Sequence, residues 1–318
     1  MEAAQEDDDE IFVYMGGDQR VPERVRRARI HRSVKIVRAN AFRSRLNLIS
    51  VEIHDGVEII EACAFYGCTL LRGPINLLGI KIIKETAFSN CGVLTDVEFG
   101  DKLETIEQYA FYYCTSLSSI TMPSIGTIGE CAFYNCEQLT DLGLPEGLET
   151  IGYGGFAECL RLRSITTPLE VGTIEDDAFN GCPNLITVDL DRGVHSTVAS
   201  LHLERWRNEM TGEINGINQT LPKTDRWEKN QAVQQWMGSV NRRLDHYKAE
   251  HQKILKEATT LLELALWKAN LDENEGGLHE RDGVCTTRGQ RKRARKEISI
   301  TSGASIVIKN VLPFLELN

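Results

Sequence analysis

A phenylalanine recurs along this chain at a nearly constant spacing, and that period limits the possible folds more than any other feature. Aligning the sequence with itself superimposes seven copies, with an offset of 23 residues in five intervals and of 22 residues in the remaining one. The seven are Phe42, Phe65, Phe88, Phe111, Phe133, Phe156 and Phe179. A fixed period of about 20–50 residues is typical of a solenoid, in which each unit buries its apolar face only against its neighbours. We therefore predict that residues 34–192 form a stack of about seven units.

Three more columns share this register. Alanine precedes the phenylalanine in six units, and Gly155 replaces it in the remaining one. Cysteine follows three residues after the phenylalanine in six units, and Arg45 takes that place in the first. Leucine follows six residues after it in every unit: Leu48, Leu71, Leu94, Leu117, Leu139, Leu162 and Leu185. Since small and apolar side chains dominate these columns, we expect them to line the core.

Each unit has the pattern of a strand, a turn and a helical turn. Apolar and polar residues alternate after the leucine, as in Leu94–Phe99, which predicts a short half-buried strand. A turn and a second apolar pair follow, and the Ala-Phe-x-x-Cys segment predicts a short helical turn ended by residues such as Asn90 and Asn135. We expect the strands of successive units to pair in parallel and to build one continuous sheet.

The repeat resembles the leucine-rich repeat of the bacterial surface-antigen (BspA-like) type. The motif Ile-Gly-x-x-Ala-Phe-x-x-Cys-x-x-Leu of that family stands here at residues 128–139. The whole chain is similar to the expanded leucine-rich-repeat proteins of unicellular algae that carry a helical C-terminal tail. This resemblance implies a leucine-rich-repeat solenoid followed by an all-α C-terminal segment, with a role as a scaffold for protein contacts and without catalytic residues.

The regions outside the repeats predict two caps and two tails, because the open ends of a solenoid need polar-faced covers. We expect residues 1–10 to form an acidic disordered N-terminus and residues 11–33 to form the N-terminal cap. Residues 193–271 form a helical hairpin that caps the last unit; the heptad-like spacing of its second helix leaves a dimeric coiled coil as the alternative. We expect residues 272–318 to form a flexible basic linker and a short amphipathic C-terminal segment.

Charge divides the chain into an acidic body and basic flanks. Residues 48–190 contain 21 Asp and Glu but six Lys and Arg, and the chain carries a formal net charge of -10. A basic cluster lies in the C-terminal tail: Arg288, Arg291, Lys292, Arg293, Arg295 and Lys296. This cluster is typical of a nuclear-import signal or a phosphate-binding patch, although a solvated tail has the same composition. Nucleic-acid binding is expected only there, because phosphate binding requires clustered basic residues.

The sequence lacks the usual motifs of enzymes and metal sites. It has no phosphate-binding loop, no His-Glu-x-x-His, no Gly-x-Ser-x-Gly and no Cys-x-x-Cys. His54 and Asp55 are interpreted as turn residues, and the cysteine column as buried free thiols, although neighbouring thiols would lie close enough for disulfides. We predict no catalytic residues, no cofactor and no metal. The absence of a signal peptide or a long apolar run predicts an intracellular protein, cytoplasmic or nuclear, that does not enter a membrane.

The polar residues of the predicted strands form the candidate binding face, because they alternate with the buried ones and project from the sheet. They are Ser50, Glu52, Asp96, Glu98, Ser119, Thr121, Asp141, Ser164, Thr166, Thr187 and Asp189. Small, polar and acidic side chains suit a basic or polar protein surface, although a merely solvated face has the same residues.

The predicted function is a non-enzymatic protein-interaction scaffold with a partner of unknown identity, and the helical segment offers a route to homo-association. The alternatives are a nuclear protein with weak nucleic-acid contact through Arg288 to Lys296, an enzyme, and an adhesin exported without a signal peptide.

Overall fold

The computed structural model describes residues 11–168, 172–190 and 203–277. The predicted acidic terminus at 1–10 and the tail from 278 onward lie outside the described residues. The chain divides into two compact units, one made of residues 1–194 with 208–241 and the other of 195–207 with 242–318.

The repeat region is a solenoid of parallel strands, as predicted. Each full turn of the solenoid is here called a coil, and longer and shorter strands lie at different places on the coil. The longer strands are β1 (Ile11–Tyr14), β2 (Arg27–Ile30), β4 (Ser50–Glu52), β6 (Ile75–Leu77), β8 (Asp96–Phe99), β10 (Ser119–Thr121), β12 (Asp141–Gly143), β14 (Ser164–Thr167) and β16 (Thr187–Leu190). The shorter strands are β3 (Ile36–Val37), β5 (Ile59–Ile60), β7 (Ile82–Ile83), β9 (Thr105–Ile106), β11 (Thr127–Ile128), β13 (Thr150–Ile151) and β15 (Thr173–Ile174).

The continuous sheet lies on a different side of the coil from the one we predicted. The seven shorter strands form one uninterrupted sheet, whereas the longer strands form three separate sheets: β1-β2-β4, β6-β8-β10 and β12-β14-β16. The prediction of one sheet from the longer strands was therefore wrong.

A local insertion explains the first break, between β4 and β6. Ile75 lies four positions after Leu71, whereas Val97 lies three positions after Leu94, although Ile75 and Val97 are partners in the ladder. Gly73 and Pro74 take up the extra residue, and Pro74 has no N–H to donate to β4. The second break, between β10 and β12, coincides with the 22-residue interval from Phe111 to Phe133.

The phenylalanine column forms a continuous stack through the core. All seven rings are fully buried. Successive ring centroids lie 4.9–5.8 Å apart, and successive ring planes are within 12° of parallel. At the N-terminal end the tilted ring of Tyr14 lies 5.3 Å from that of Phe42 and covers the stack. Because each ring packs between those of the neighbouring coils, the stability of one coil depends on the next.

The segment predicted as a helical turn is a series of turns that bond alternately within and between coils. The Cys91 N–H donates to the Phe88 carbonyl of its own coil, at 3.2 Å, whereas the Phe88 N–H donates to the Ala110 carbonyl of the next coil, at 2.8 Å. The residues two before and two after each phenylalanine have a positive φ: Asn40, Ser44, Cys63, Gly67, Thr86, Asn90, Tyr109, Tyr113, Cys131, Asn135, Gly154, Glu158, Asp177 and Gly181. These left-handed residues turn alternate N–H groups toward the neighbouring coil, so the turn also joins the coils together.

Two α-helices follow the solenoid: α1 (Leu203–Thr220) and α2 (Lys229–Gly277), with a short 3-10 helix at Leu221–Lys223 between them. Helix α2 extends past residue 271, where the predicted hairpin ended. Within the second compact unit the buried ring of Trp206 meets the buried ring of Tyr247 edge to face, at 5.4 Å between centroids.

Within the first compact unit, side chains from α1 and α2 bond to the backbone of the last coil. Asn218 accepts the Val188 N–H at 2.7 Å and donates to the Val188 carbonyl at 3.1 Å. The Lys229 ammonium donates to the carbonyls of Pro183 and Leu185 at 2.7 and 2.5 Å. These bonds satisfy backbone groups for which the described residues offer no further coil.

Candidate protein-binding face

The polar residues of the longer strands stand in two stacked rows. In the first row, Asp96 pairs with Ser119, and Asp141, Ser164 and Thr187 follow one another. In the second row, Glu98 pairs with Thr121 and Thr166 pairs with Asp189. The apolar residues between them, such as Val97 and Ile165, are buried. The residues of the candidate face are thus exposed or half-buried on one side of the three sheets.

The face extends further toward the N-terminus than we predicted. Residues 11–33, which were predicted to form a cap, supply β1 and β2, and β2 places Arg27 beside Ser50 and Arg29 beside Glu52. The sequence contains a signal for this extension, because Arg27 and Arg29 precede Ser50 and Glu52 by one 23-residue period. The missing phenylalanine in that unit concealed it.

A further residue of the second row was missed in the coil that carries the insertion. Asn76 pairs with Glu98 and is exposed. The one-residue shift at Gly73 and Pro74 moves Asn76 into this position, so a strict 23-residue offset does not find it.

Some of the predicted acidic residues already have partners. The Arg29 guanidinium donates to the Glu52 carboxylate, and this hydrogen bond lowers the pKa of Glu52. The Ser164 hydroxyl donates to the Asp141 carboxylate and lowers the pKa of Asp141. Asp189 accepts the backbone N–H of Leu190 at 2.8 Å. These three carboxylates are therefore partly committed within the chain.

The carboxylates of Asp96 and Glu98 lie in the middle of the face and lack such partners. Within the described ranges, neither forms an ion pair or a side-chain hydrogen bond. Both lie on β8, the central strand of its sheet, with Ser119 and Thr121 on one side and Asn76 on the other. This part of the face therefore carries two negative charges that no ion pair among the described residues compensates.

A shallow groove crosses the face where β4 and β6 fail to pair. Its lining residues are Ile11, Arg27, Ala28, Ile49, Ser50, Val51, Glu52, Arg72, Gly73 and Pro74. Because the groove places arginines next to Glu52, the N-terminal end of the face has mixed charge. The middle of the face is acidic.

The cysteine column belongs to the core, as predicted. Its six members are buried free thiols, and each donates to the phenylalanine carbonyl of the preceding coil, at 3.0–3.5 Å. Burial raises the pKa of Cys68 and of Cys114 to about 12. Since a nucleophilic cysteine needs a lowered pKa, these thiols have the character of structural groups.

The other residues with possible chemistry are also engaged in structure. The His54 ring donates to the His31 carbonyl at 3.0 Å and accepts the Gly56 N–H at 3.1 Å, as expected for a turn residue. Among the residues that the structure describes, no group of His, Cys, Asp and Glu side chains is arranged to hold a metal ion. In the same residues no helix is both long and apolar enough to cross a bilayer. The basic cluster from Arg288 to Lys296 lies outside the described residues.

Comparison with known proteins agrees with the repeat. The family model described as "BspA type Leucine rich repeat region (6 copies)" matches residues 35–125 and 123–201, which together span more than half of the chain. No curated protein sequence matches significantly.

Solved structures of bacterial leucine-rich-repeat proteins are similar to about half of the chain. A leucine-rich-repeat protein of Treponema pallidum is 29% identical and covers 51% of this chain and 83% of its own, with a TM-score of 0.39. A leucine-rich cell surface protein of Faecalibacterium prausnitzii is 22% identical and covers 52% of this chain and 60% of its own, with a TM-score of 0.37. With its period, its buried columns and the family match, the chain belongs to the BspA-type leucine-rich-repeat family.

Proposed function

We propose that this protein is a non-enzymatic scaffold that binds a protein partner through the longer-strand face of its solenoid. The observation that carries the proposal is the position of Asp96 and Glu98, two carboxylates without partners in the described structure, at the centre of two stacked polar rows. Repeat families of this kind present such extended faces to other proteins.

The charge of the face indicates the class of partner. Asp96, Glu98 and the hydroxyl residues beside them offer hydrogen-bond acceptors and negative charge over two coils. A surface with exposed lysine or arginine would complement them, because complementary charge accelerates encounter and like charge rejects wrong partners.

The test is a charge reversal with a matched control. The Asp96→Lys/Glu98→Lys variant should lose the partner that the wild-type protein captures from native lysate, with an unchanged melting temperature. The control is Asp101→Lys/Glu104→Lys, which makes the same charge change at exposed positions in the turn after β8. It should retain the partner. Equal capture by all three proteins would contradict the proposed face.

Three further properties stay predictions from the sequence. They are an intracellular location, nucleic-acid contact through Arg288 to Lys296, and homo-association through the helical segment. A fluorescent fusion with and without the basic cluster tests the first, and a salt titration of nucleic-acid binding tests the second. Sedimentation of the full chain over a range of concentrations tests the third, and a monomer throughout would exclude homo-association.

A further inference from the structure

A second surface lies on the turn side of the solenoid, away from the strand face. Tyr109, Tyr112, Tyr113 and Tyr134, here called the tyrosine cluster, lie at the turns that carry Phe111 and Phe133. The centroids of the four contacting ring pairs are 4.6–5.9 Å apart, and the rings of Tyr112 and Tyr134 are stacked at 5.2 Å. Tyr113 is 40% exposed, and the other three are half-buried. Tyrosine is among the residues that contribute most to binding at protein interfaces, because it combines a large ring with a polar tip.

Carboxylates surround the tyrosine cluster. The Tyr109 hydroxyl donates to Glu130 at 2.7 Å, and this bond raises the pKa of Tyr109 to about 12. Burial is the larger cause that raises the pKa of Tyr134, and the negative charge of Glu158 is a smaller one. Between Lys102 and Arg161 the sequence has eight Asp and Glu and no Lys, Arg or His. The cluster therefore combines electron-rich ring faces with uncompensated negative charge, which favours a cationic ligand.

The first two coils show how the surface of this turn accommodates a guanidinium group. The position directly after the phenylalanine is occupied by Arg43 in the first coil and by Tyr66 in the second. The Arg43 guanidinium lies over the Tyr66 ring, 5.2 Å from its centroid. Tyr134 occupies this column in the fifth coil, and the small Ala157 follows it in the sixth. Arginine on tyrosine is thus already one packing arrangement of this surface.

We propose that the tyrosine cluster is a docking site for an arginine-rich linear segment of a partner protein, with a guanidinium stacked on the rings beside Glu158. The stacking would repeat the Arg43–Tyr66 contact of the second coil between two chains. The planar guanidinium also pairs with carboxylates in two-pronged geometry, which an ammonium does not. Arginine is therefore preferred over lysine at this site.

Peptide binding tests the proposal directly. The probes are labelled peptides of alternating arginine and serine, lysine and serine, or citrulline and serine, the last being a neutral isostere of the first. The full chain should bind the arginine peptide several-fold more tightly than the lysine peptide and should not bind the citrulline peptide. In a fluorescence-anisotropy titration, Tyr113→Ala/Tyr134→Ala should weaken arginine-peptide binding about tenfold.

Matched variants separate the tyrosine cluster from other causes. Tyr66→Ala removes a tyrosine from the same column where Arg43 already covers it, and it should leave arginine-peptide binding unchanged. Should the double tyrosine variant unfold, Glu158→Gln keeps every ring in place and should still weaken binding. Equal binding of arginine and lysine peptides, or tyrosine variants that bind like the wild-type protein, would overturn the proposal.

Discussion

At the scale of single residues, the cysteine column shows why one side chain recurs so strictly. The position is fully buried, has room for a small group, and faces the phenylalanine carbonyl of the preceding coil. A thiol fills the space and also donates a weak hydrogen bond to that carbonyl, which alanine cannot do. The sequence predicted the burial, but it contained no sign of the bond between coils.

The buried thiols make stability depend on pH. Burial raises the pKa of Cys114 from its usual value of 9.0 to about 12 in the folded protein. Above pH 9 the unfolded chain loses this proton while the folded chain keeps it, so the free energy of unfolding falls as the pH rises. The loss should amount to about 1 kcal/mol for this thiol between about pH 8 and about pH 10.

Urea denaturation at both pH values measures this effect. The Cys114→Ala variant lacks the thiol and keeps the other five of its column, so its free energy of unfolding should fall by about 1 kcal/mol less than that of the wild-type protein. Equal losses in the two proteins would show that Cys114 does not remain protonated in the folded state.

At the scale of the repeat element, the turn with two left-handed residues explains why the position before the cysteine is occupied by such different residue types. Asn90, Asn135 and Gly181 precede the cysteine and have a positive φ, as expected from their residue types. Tyr113 and Glu158 occupy the same position in other coils, although such side chains rarely adopt this conformation. Bonds to the neighbouring coils hold them there, and these bonds cannot be derived from one unit considered alone.

Two glycines provide a matched test of this turn. Gly67 has a φ of +69° and Gly92 has no positive φ, yet a Cβ added at either would have its nearest neighbour at 3.6 Å. Gly67→Ala should therefore cost about 1 kcal/mol of stability through backbone conformation, whereas Gly92→Ala should stay within about 0.5 kcal/mol of the wild-type protein. Thermal denaturation compares the two, and equal melting temperatures would contradict the left-handed turn.

The sequence also did not specify how the C-terminal end of the solenoid is capped. We propose that residues 208–241 cap the last coil through side chains that bond to its backbone. Asn218 bonds to both the N–H and the carbonyl of Val188, as the backbone of a neighbouring strand would. The hydrophobic spacing predicted helices here, but an amide among many polar residues gives no sign of its partner 30 positions away.

Removing that amide tests the cap. Asn218→Ala should destabilise the protein by about 1–3 kcal/mol, because it leaves both Val188 groups without partners. Asn215→Ala, at an exposed position of the same helix, should change stability by less than about 0.5 kcal/mol. If both variants unfold at the same urea concentration, the bond to Val188 does not contribute to the cap.

At the scale of the whole molecule, the period predicted the fold because every coil packs against its neighbours in the same way. The buried columns and the parallel strands follow from the register of phenylalanine, cysteine and leucine. The breaks in the strand face do not follow from it, since they depend on a one-residue insertion at Pro74 and on one shortened interval. The candidate face was predictable as rows of polar residues, whereas its charge balance depends on pairs such as Arg29–Glu52 that form only in three dimensions.

Native-state hydrogen exchange tests whether successive coils are joined through the phenylalanine turns. The amides of Phe65, Phe88, Phe111 and Phe133 each donate to a carbonyl of the next coil, at 2.7–2.8 Å. They should be among the slowest to exchange in the chain, with protection close to the free energy of global unfolding. Exchange of these four amides at the rate of an unstructured peptide would contradict the stacked solenoid and everything inferred from it.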